Sequence, residues 1–355
     1  MKHNFGAGPS ILPKEVFEEA SRAVINFNDT GLSILEISHR SKEFEEIVQE
    51  TETLIRELLS VPQNHAVIFL QGGASTQFAM IPLNLMPKDG KAAYLDTGVW
   101  ATKAINEAKK IGEVNVVASS ADKNYSYIPK HYDVPLDSAY FHYTSNNTIF
   151  GTEIFETPDV EIPVVADMSS DIFSREIKVS DFGLIYAGAQ KNLGPAGMTL
   201  VIVDKDLLGK TGRLIPTIFD YLPHIANGSM YNTPAVFSIY VSLLNLRWLK
   251  RQGGIKHIEQ ENIRKAQLLY SEIDNNPLFR STVAREDRSR MNVTFTMENP
   301  QIEAEFLNFT KERNMIGIKG HRSVGGFRIS IYNALSIGSV SALISAMQEF
   351  SELNR

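Results

Sequence analysis

Ala66-Val67-Ile68-Phe69-Leu70-Gln71-Gly72-Gly73-Ala74-Ser75-Thr76 holds the pattern on which the fold turns. Five apolar residues without alternation read as a strand buried on both faces, which belongs inside a sheet covered by helices. Two glycines then allow a tight turn, and Thr76–Leu85 continues with apolar residues at helical spacing. The same alternation recurs downstream. Ala92–Leu95, Glu113–Val117, Ala139–Tyr143, Val164–Ala166, Leu184–Tyr186 and Thr199–Val203 read as strands, and Trp100–Lys110 as a helix. Strands alternating with helices predict an α/β fold, with a mostly parallel sheet flanked by helices. Ligands of such sheets sit at the carboxyl ends of the strands, so the loops there carry the candidate chemistry.

The texture changes near residue 250. A helix over 236–250 meets Gly253-Gly254, and a long amphipathic helix, Lys256–Asp274, follows. A strand at Met291–Thr296, a helix near Gln301–Arg313, a strand at Phe327–Tyr332 and a final helix near Ser339–Glu352 predict a smaller α+β domain. The chain has 355 residues, enough for two domains, with 43% apolar and 21% charged residues, an ordinary globular composition. Its net charge of −6 is spread without blocks, which argues against a nucleic-acid or membrane surface. Cysteine is absent, which removes disulfides, thiolate metal sites and a cysteine nucleophile. No apolar run approaches a membrane span and the first residues lack the features of a signal peptide, so a cytoplasmic location is expected.

Three segments suggest chemistry. The turn Gln71–Thr76 offers free N–H groups at a helix start, which favour a phosphate, although an ordinary capped turn would look the same. Asp167 closes the apolar strand Val164–Ala166, and a buried carboxylate needs a cation or hydrogen-bond donors. A cap, or a pair with Arg175, would also satisfy it, and Asp171 is equally placed to cap. Lys191 follows the strand Leu184–Tyr186 among Gly188, Ala189, Gln190, Gly194 and Gly197. A lysine in such surroundings has a lowered pKa and suits Schiff-base chemistry, whereas most lysines in turns are merely solvated. Phosphate site, carboxylate and lysine together match what pyridoxal phosphate requires. Trp100 is placed to stack on its ring, or simply to pack in the core. Two further clusters, His39-Arg40-Ser41 and His321-Arg322-Ser323 with Arg328, fit a substrate bearing two anionic groups, or solvated surface pairs.

With these segments on the page, the chain resembles the phosphoserine aminotransferase family, in the class V branch of the fold-type I pyridoxal phosphate enzymes. The resemblance covers essentially the whole length. It rests on Asn4–Pro9, Ser33–Ser41, Gln71–Phe78, Thr144–Ile149 with Gly151-Thr152, Ala166–Arg175, Gly188–Gly197, Ser229–Pro234 and His321–Arg328. It implies a large cofactor-binding domain over 16–250 and a small domain from 1–15 with 251–355. It further implies that Lys191 holds the cofactor as a Schiff base and shuttles a proton, and that Asp167 pairs with the ring nitrogen. Trp100 stacks on the ring and Thr148 bonds near its hydroxyl. Ala74, Ser75 and Gln190 hold the phosphate, with Asn232 and Thr233 from the neighbouring subunit of a homodimer. Arg328 takes the α-carboxylate, and His39, Arg40, His321 and Arg322 take the distal anion, some of them across the dimer. Pro234-Ala235-Val236-Phe237 and Phe5-Gly6-Ala7 depart from the commoner family pattern without removing a functional group.

The reaction implied is amino transfer between L-glutamate and 3-phosphohydroxypyruvate in serine biosynthesis, with a related phosphorylated substrate in pyridoxine biosynthesis as a second activity. Cysteine desulfuration is excluded because the chain has no cysteine to carry the sulfur. Another class V transamination, such as serine–glyoxylate, and a non-catalytic pyridoxal phosphate-sensing protein stand as alternatives. The first does not need the second cation cluster, and the second does not need Lys191.

Overall fold

A computed structural model of the chain describes residues 2–354. Its elements in order are β1 (His3–Asn4), α1 (Lys14–Ile25), α2 (Lys42–Leu59), β2 (His65–Leu70), α3 (Gly73–Leu85), β3 (Lys91–Asp96), α4 (Val99–Ala108) and β4 (Glu113–Ser119). Next come β5 (Phe141–Thr144), β6 (Val164–Asp167), β7 (Leu184–Gly188), β8 (Thr199–Asp204), α5 (Tyr221–Ala226) and α6 (Val236–Arg251). The chain ends with α7 (Gly254–Asn275), β9 (Phe279–Ser281), β10 (Asn292–Met297), α8 (Glu303–Glu312), β11 (Met315–Ile316), β12 (Phe327–Ser330) and α9 (Ile337–Leu353).

Seven strands form the central sheet in the order β2-β8-β7-β6-β5-β3-β4. The β3–β7 run pairs in parallel, and β8 is antiparallel to both of its neighbours. β2 therefore points the same way as β7, so the carboxyl ends of six strands share one edge. The expected mostly parallel sheet is what forms. Strands β5, β6 and β7 are buried along their whole length, as their unbroken apolar runs require. One face, with Phe69, Leu95, Tyr143, Ala166 and Ile185, packs on α1, α2 and α6. The other, with Ile68, Tyr94, Val165, Tyr186 and Val201, packs on α3, α4 and α5. Strand order reverses between β3 and β5, and a crevice opens at such a reversal.

The expected boundaries shift by a few residues. α3 begins at Gly73 rather than Thr76, because the glycine itself opens the first turn. β12 ends at Ser330, since the chain then bends through Tyr332 and Asn333. Two helices precede the expected strand–helix region. α2 starts where Ser41 accepts a bond from Phe44 N–H, and buries Phe44, Ile47, Val48, Leu54 and Ile55 at helical spacing.

A second core gathers around the antiparallel sheet β12-β10-β9, closed by α7, α8 and α9. Phe279, Phe295, Phe306, Phe327 and Phe350 meet there with ring centroids 5.1–5.5 Å apart. The N-terminus belongs to this core, since β1 pairs in parallel with β11 and Phe5 is fully buried in it. α7 bridges the two cores, with Ile255 and Ile258 in the first and Leu269 and Ile273 in the second. Lys265, buried on α7, donates to the carbonyls of Ile331, Tyr332 and Leu335 at 2.8–3.2 Å and so fixes the bend after β12.

Because β12 carries Arg328 and rests on the phenylalanine cluster, the second core governs the placement of that arginine. Phe306→Ala should cost about 3–5 kcal/mol of stability. Urea unfolding of the cofactor-free protein reads this, and a change below about 1 kcal/mol would show that the cluster collapses without loss.

Candidate active site

The carboxyl ends of β2, β3, β5, β6 and β7 bring together most of the residues singled out in the sequence. After β2, Gly72 and Gly73 both have positive φ, +93° and +65°. A Cβ on Gly72 would stand 1.9 Å from Thr76 Oγ1, so only glycine permits this turn. No side chain caps the N-terminus of α3, which leaves the first-turn N–H groups around Ala74 and Ser75 free for an anion. Gln71 Nε2 donates to the Thr233 carbonyl at 2.6 Å, which places the exposed stretch Tyr231–Thr233 beside this turn in its own chain.

β6 delivers Asp167 to the floor of the crevice, 4% exposed. One carboxylate oxygen accepts from Ser169 N–H at 2.9 Å, and the Ser169 and Tyr186 hydroxyls add further stabilisation. Arg175, the alternative partner, turns instead to Asp171 at 3.4 Å and Glu153 at 3.6 Å. Asp167 is thus left, among the described residues, without an ion pair in hydrogen-bonding range. Burial raises its pKa, against the donors from Ser169 and the field of Lys191.

β7 leads into Gln190 and Lys191. Lys191 Nζ donates to Thr148 Oγ1 at 2.6 Å, and Thr148 sits in the fully buried loop after β5. Burial pushes the Lys191 pKa down to about 8; Asp167 opposes the shift and Arg328 adds to it. The lysine loop is also clamped from the N-terminus. Ser10 N–H donates to the Gln190 carbonyl at 3.0 Å, and the Ser10 hydroxyl donates to the Lys191 carbonyl. Ser10 lies just beyond the Asn4–Pro9 motif and carried no chemical signal of its own, so the sequence reading missed it. Gly8 packs within 3.5 Å of Lys191 Cγ when given a virtual Cβ, which accounts for part of that motif.

Trp100 stands in the first turn of α4, half-buried, with its indole N–H lacking a partner. Lys103 lies over its ring at 4.5 Å. Partial burial, then the fields of Arg328, Arg322 and Lys103, lowers the His321 pKa, and His321 and Arg328 line one small pocket. Lys103 was not anticipated; its signal was a cation one turn after Trp100. Arg328 Nε is also buried without a partner. His39 and Arg40 stand apart. Among the described residues no side-chain hydrogen bond or ion pair joins them to the Lys191 centre, and Arg40 is exposed.

These features fit pyridoxal phosphate on the structure's own terms. A buried carboxylate without a cation awaits a protonated ring nitrogen, an uncapped helix start awaits a phosphate, and a depressed lysine awaits an aldehyde.

The aminotransferase class-V family model matches residues 2–343. The phosphoserine aminotransferase of Bacteroides thetaiotaomicron is 58% identical, with 99% of each chain covered. Among solved structures, the phosphoserine aminotransferase of Bacillus circulans subsp. alkalophilus is 43% identical, with a TM-score of 0.97 over 100% of this chain and 99% of that one. A structure of the phosphoserine aminotransferase of Trichomonas vaginalis with pyridoxal phosphate bound is 39% identical, with a TM-score of 0.94 over 98% and 100%.

The lowered Lys191 pKa has a direct kinetic reading. Only the neutral amine attacks an aldehyde, and Lys191 is neutral above about 8 rather than above the ordinary 10.5. The rate at which cofactor-free protein captures pyridoxal phosphate should therefore climb with pH and level off just above 8. A rate still climbing toward 10.5 would mean that Lys191 is solvated.

Proposed function

This chain belongs to the class-V aminotransferase family, and on that premise we propose how its site moves an amino group between L-glutamate and 3-phosphohydroxypyruvate, giving 2-oxoglutarate and O-phospho-L-serine. It is a pyridoxal phosphate-dependent transaminase. The observation that carries the residue assignment is the buried Lys191, its Nζ held by Thr148 at 2.6 Å, on the same sheet edge as the buried Asp167 and the uncapped start of α3.

When bound, the cofactor supplies the electron sink that lets the Cα–H bond of an amino acid break as a proton. Asp167 holds the ring nitrogen protonated, which its burial away from other cations favours. Ala74, Ser75 and Gln190 hold the phosphate at the start of α3, and Trp100 covers one ring face. Thr148 holds Lys191 Nζ and the ring-hydroxyl region in register. Lys191, with its depressed pKa, takes the proton from Cα of the donor and later returns one to Cα of the product. Arg328 orients the α-carboxylate by a two-pronged bond and so aligns the Cα–H bond with Lys191.

The distal end must accept a carboxylate from glutamate and a phosphate from the other substrate. The exposed, flexible Arg322 supplies a charge that serves both, and His321 beside it supplies a hydrogen-bonding ring. His39 and Arg40 complete it from the partner of a homodimer, as Asn232 and Thr233 complete the phosphate site. Two observations support a dimer. His39 and Arg40 have no partner at the Lys191 centre of their own chain, and large apolar side chains at Leu32, Leu35, Leu214, Ile218, Phe219 and Leu222 are exposed on one chain. The same reading places the enzyme in the cytoplasm, with domains over 16–250 and over 1–15 with 251–355.

L-Glutamate alone should bleach the yellow band of the purified holoenzyme, and 3-phosphohydroxypyruvate should restore it. A band indifferent to glutamate would assign another donor. Lys191→Ala should still retain the cofactor non-covalently while losing transamination, read by absorbance and turnover. Arg328→Ala should raise the KM for glutamate by about 10²-fold with cofactor affinity little changed. Equal loss of both would move Arg328 out of the substrate site.

A further inference from the structure

Asp167 is the end of a polar row that crosses the apolar face of the sheet. Tyr186 on β7 is its direct register partner, and His142 on β5 lies on the other side of β6, one step back, opposite Val165. The alternation of each strand turns all three side chains to the face covered by α3 and α4. Tyr186 is fully buried and His142 is 1% exposed. His142 Nε2 lies 2.9 Å from the Tyr186 hydroxyl oxygen, and Tyr186 stands beside Asp167 in register on the same face of the sheet, where its hydroxyl favours the charged carboxylate.

The proton count fixes the direction of the row. Nδ1 of His142 is buried without a partner, so it is the bare nitrogen and the imidazole hydrogen sits on Nε2. A bare lone pair is tolerated at Nδ1 where an unpaired N–H would not be. Nε2–H then donates to the Tyr186 oxygen, which leaves the single tyrosine proton to turn toward its register neighbour, the Asp167 carboxylate, which only accepts. Burial pushes the His142 pKa down to about 3, so the ring stays neutral, and its face stacks on Tyr94 with centroids 4.8 Å apart.

We propose that His142 and Tyr186 are positioning residues, a serial donor row that keeps the Asp167 carboxylate charged and aimed at the ring nitrogen of the cofactor. The proposal rests on the assignment of Asp167 as the partner of that nitrogen. The two polar side chains are buried among Val165, Leu184, Val201 and Phe78, where their bond to each other offsets part of the desolvation cost. Other titratable groups nearby are spoken for or belong to the site. The Tyr94 and Tyr140 hydroxyls bond each other at 2.7 Å, and Tyr221 donates to Gln77 at 2.6 Å. Asp171 faces Arg175, and Lys191 lies across the cavity.

Loss of the tyrosine proton makes Asp167 a stronger base, so it draws more of the ring proton to itself. A ring with less positive charge lets the bound cofactor keep its titrating proton to higher pH. The midpoint of the visible band of the holoenzyme should therefore rise by about one unit in Tyr186→Phe, with kcat falling about tenfold. KM for glutamate should stay within about twofold, since the substrate does not touch this row. His142→Leu should shift the midpoint the same way by less. His142→Gln, which keeps a donor near the Nε2 position, should stay close to wild type. Because the row acts in series, Tyr186→Phe/His142→Leu should shift no further than Tyr186→Phe alone.

Asp167→Asn serves as the reference. If it shifts the midpoint while Tyr186→Phe and His142→Leu titrate as wild type, the row is overturned and the assignment of Asp167 stands. If Asp167→Asn itself titrates as wild type, the assignment falls and the row with it. Additive shifts in the double variant would reduce His142 and Tyr186 to separate packing roles.

Discussion

Asp167 is buried beneath the crevice with a raised pKa and no cation of its own, and a negative charge in that position costs several kcal/mol unless something answers it. The surrounding structure divides the task. Ser169 answers from the turn after β6 and Tyr186 from the neighbouring strand, while Arg175 is drawn away by Asp171 and Glu153. What remains is a charge satisfied enough to persist and open enough to bind one more donor. Lys191, opposite, is displaced the other way by the same burial. An acid held above its ordinary pKa and an amine held below it share one low-dielectric space. That pairing is what a cofactor with a basic ring nitrogen and an electrophilic carbon requires.

Much of this was legible because the determinants are local. Unbroken apolar runs announced buried strands, and three cofactor-side segments followed such runs within a few residues: the Gly72 turn after β2, Asp167 ending β6 and Lys191 after β7, whereas Asn232 and Thr233 follow no strand closely. The sequence could not say which partner Arg175 would choose, because Asp167 and Asp171 are both within reach along the chain and only the turn between them decides. Tyr186 and His142 were invisible as chemistry. In an apolar run a tyrosine reads as core, and the juxtaposition of β5, β6 and β7 that gives it meaning comes from strand order. Ser10 was missed for the same reason, since it meets Lys191 only through a chain path of about 180 residues. α1 and α2 had readable apolar spacing, but the strand–helix alternation that drew attention begins after them.

The substrate wall is assembled on a different principle. Arg328 is set by the second core, its strand pinned by stacked phenylalanines and its following bend gripped by Lys265. His321 and Arg322, in the loop before that strand, are more exposed. A group that must bind every amino acid in the same orientation is held rigidly, and groups that must accept anions of different size are left room to move. On the proposed assignment the large sheet supplies the cofactor side and the small one the substrate side, and the Asn192–Asn333 bond at 3.0 Å ties the two beside Lys191.

The pairing of His3 with Met315 and Asn4 with Ile316 has a consequence for synthesis of the chain. The large sheet is complete once residue 204 has left the ribosome, but the first strand has no partner until β11 emerges. Ser10 cannot settle against the Lys191 loop with its neighbours docked until then. The amino-terminal clamp on the lysine loop is thus among the last parts of the site that the order of synthesis allows to form.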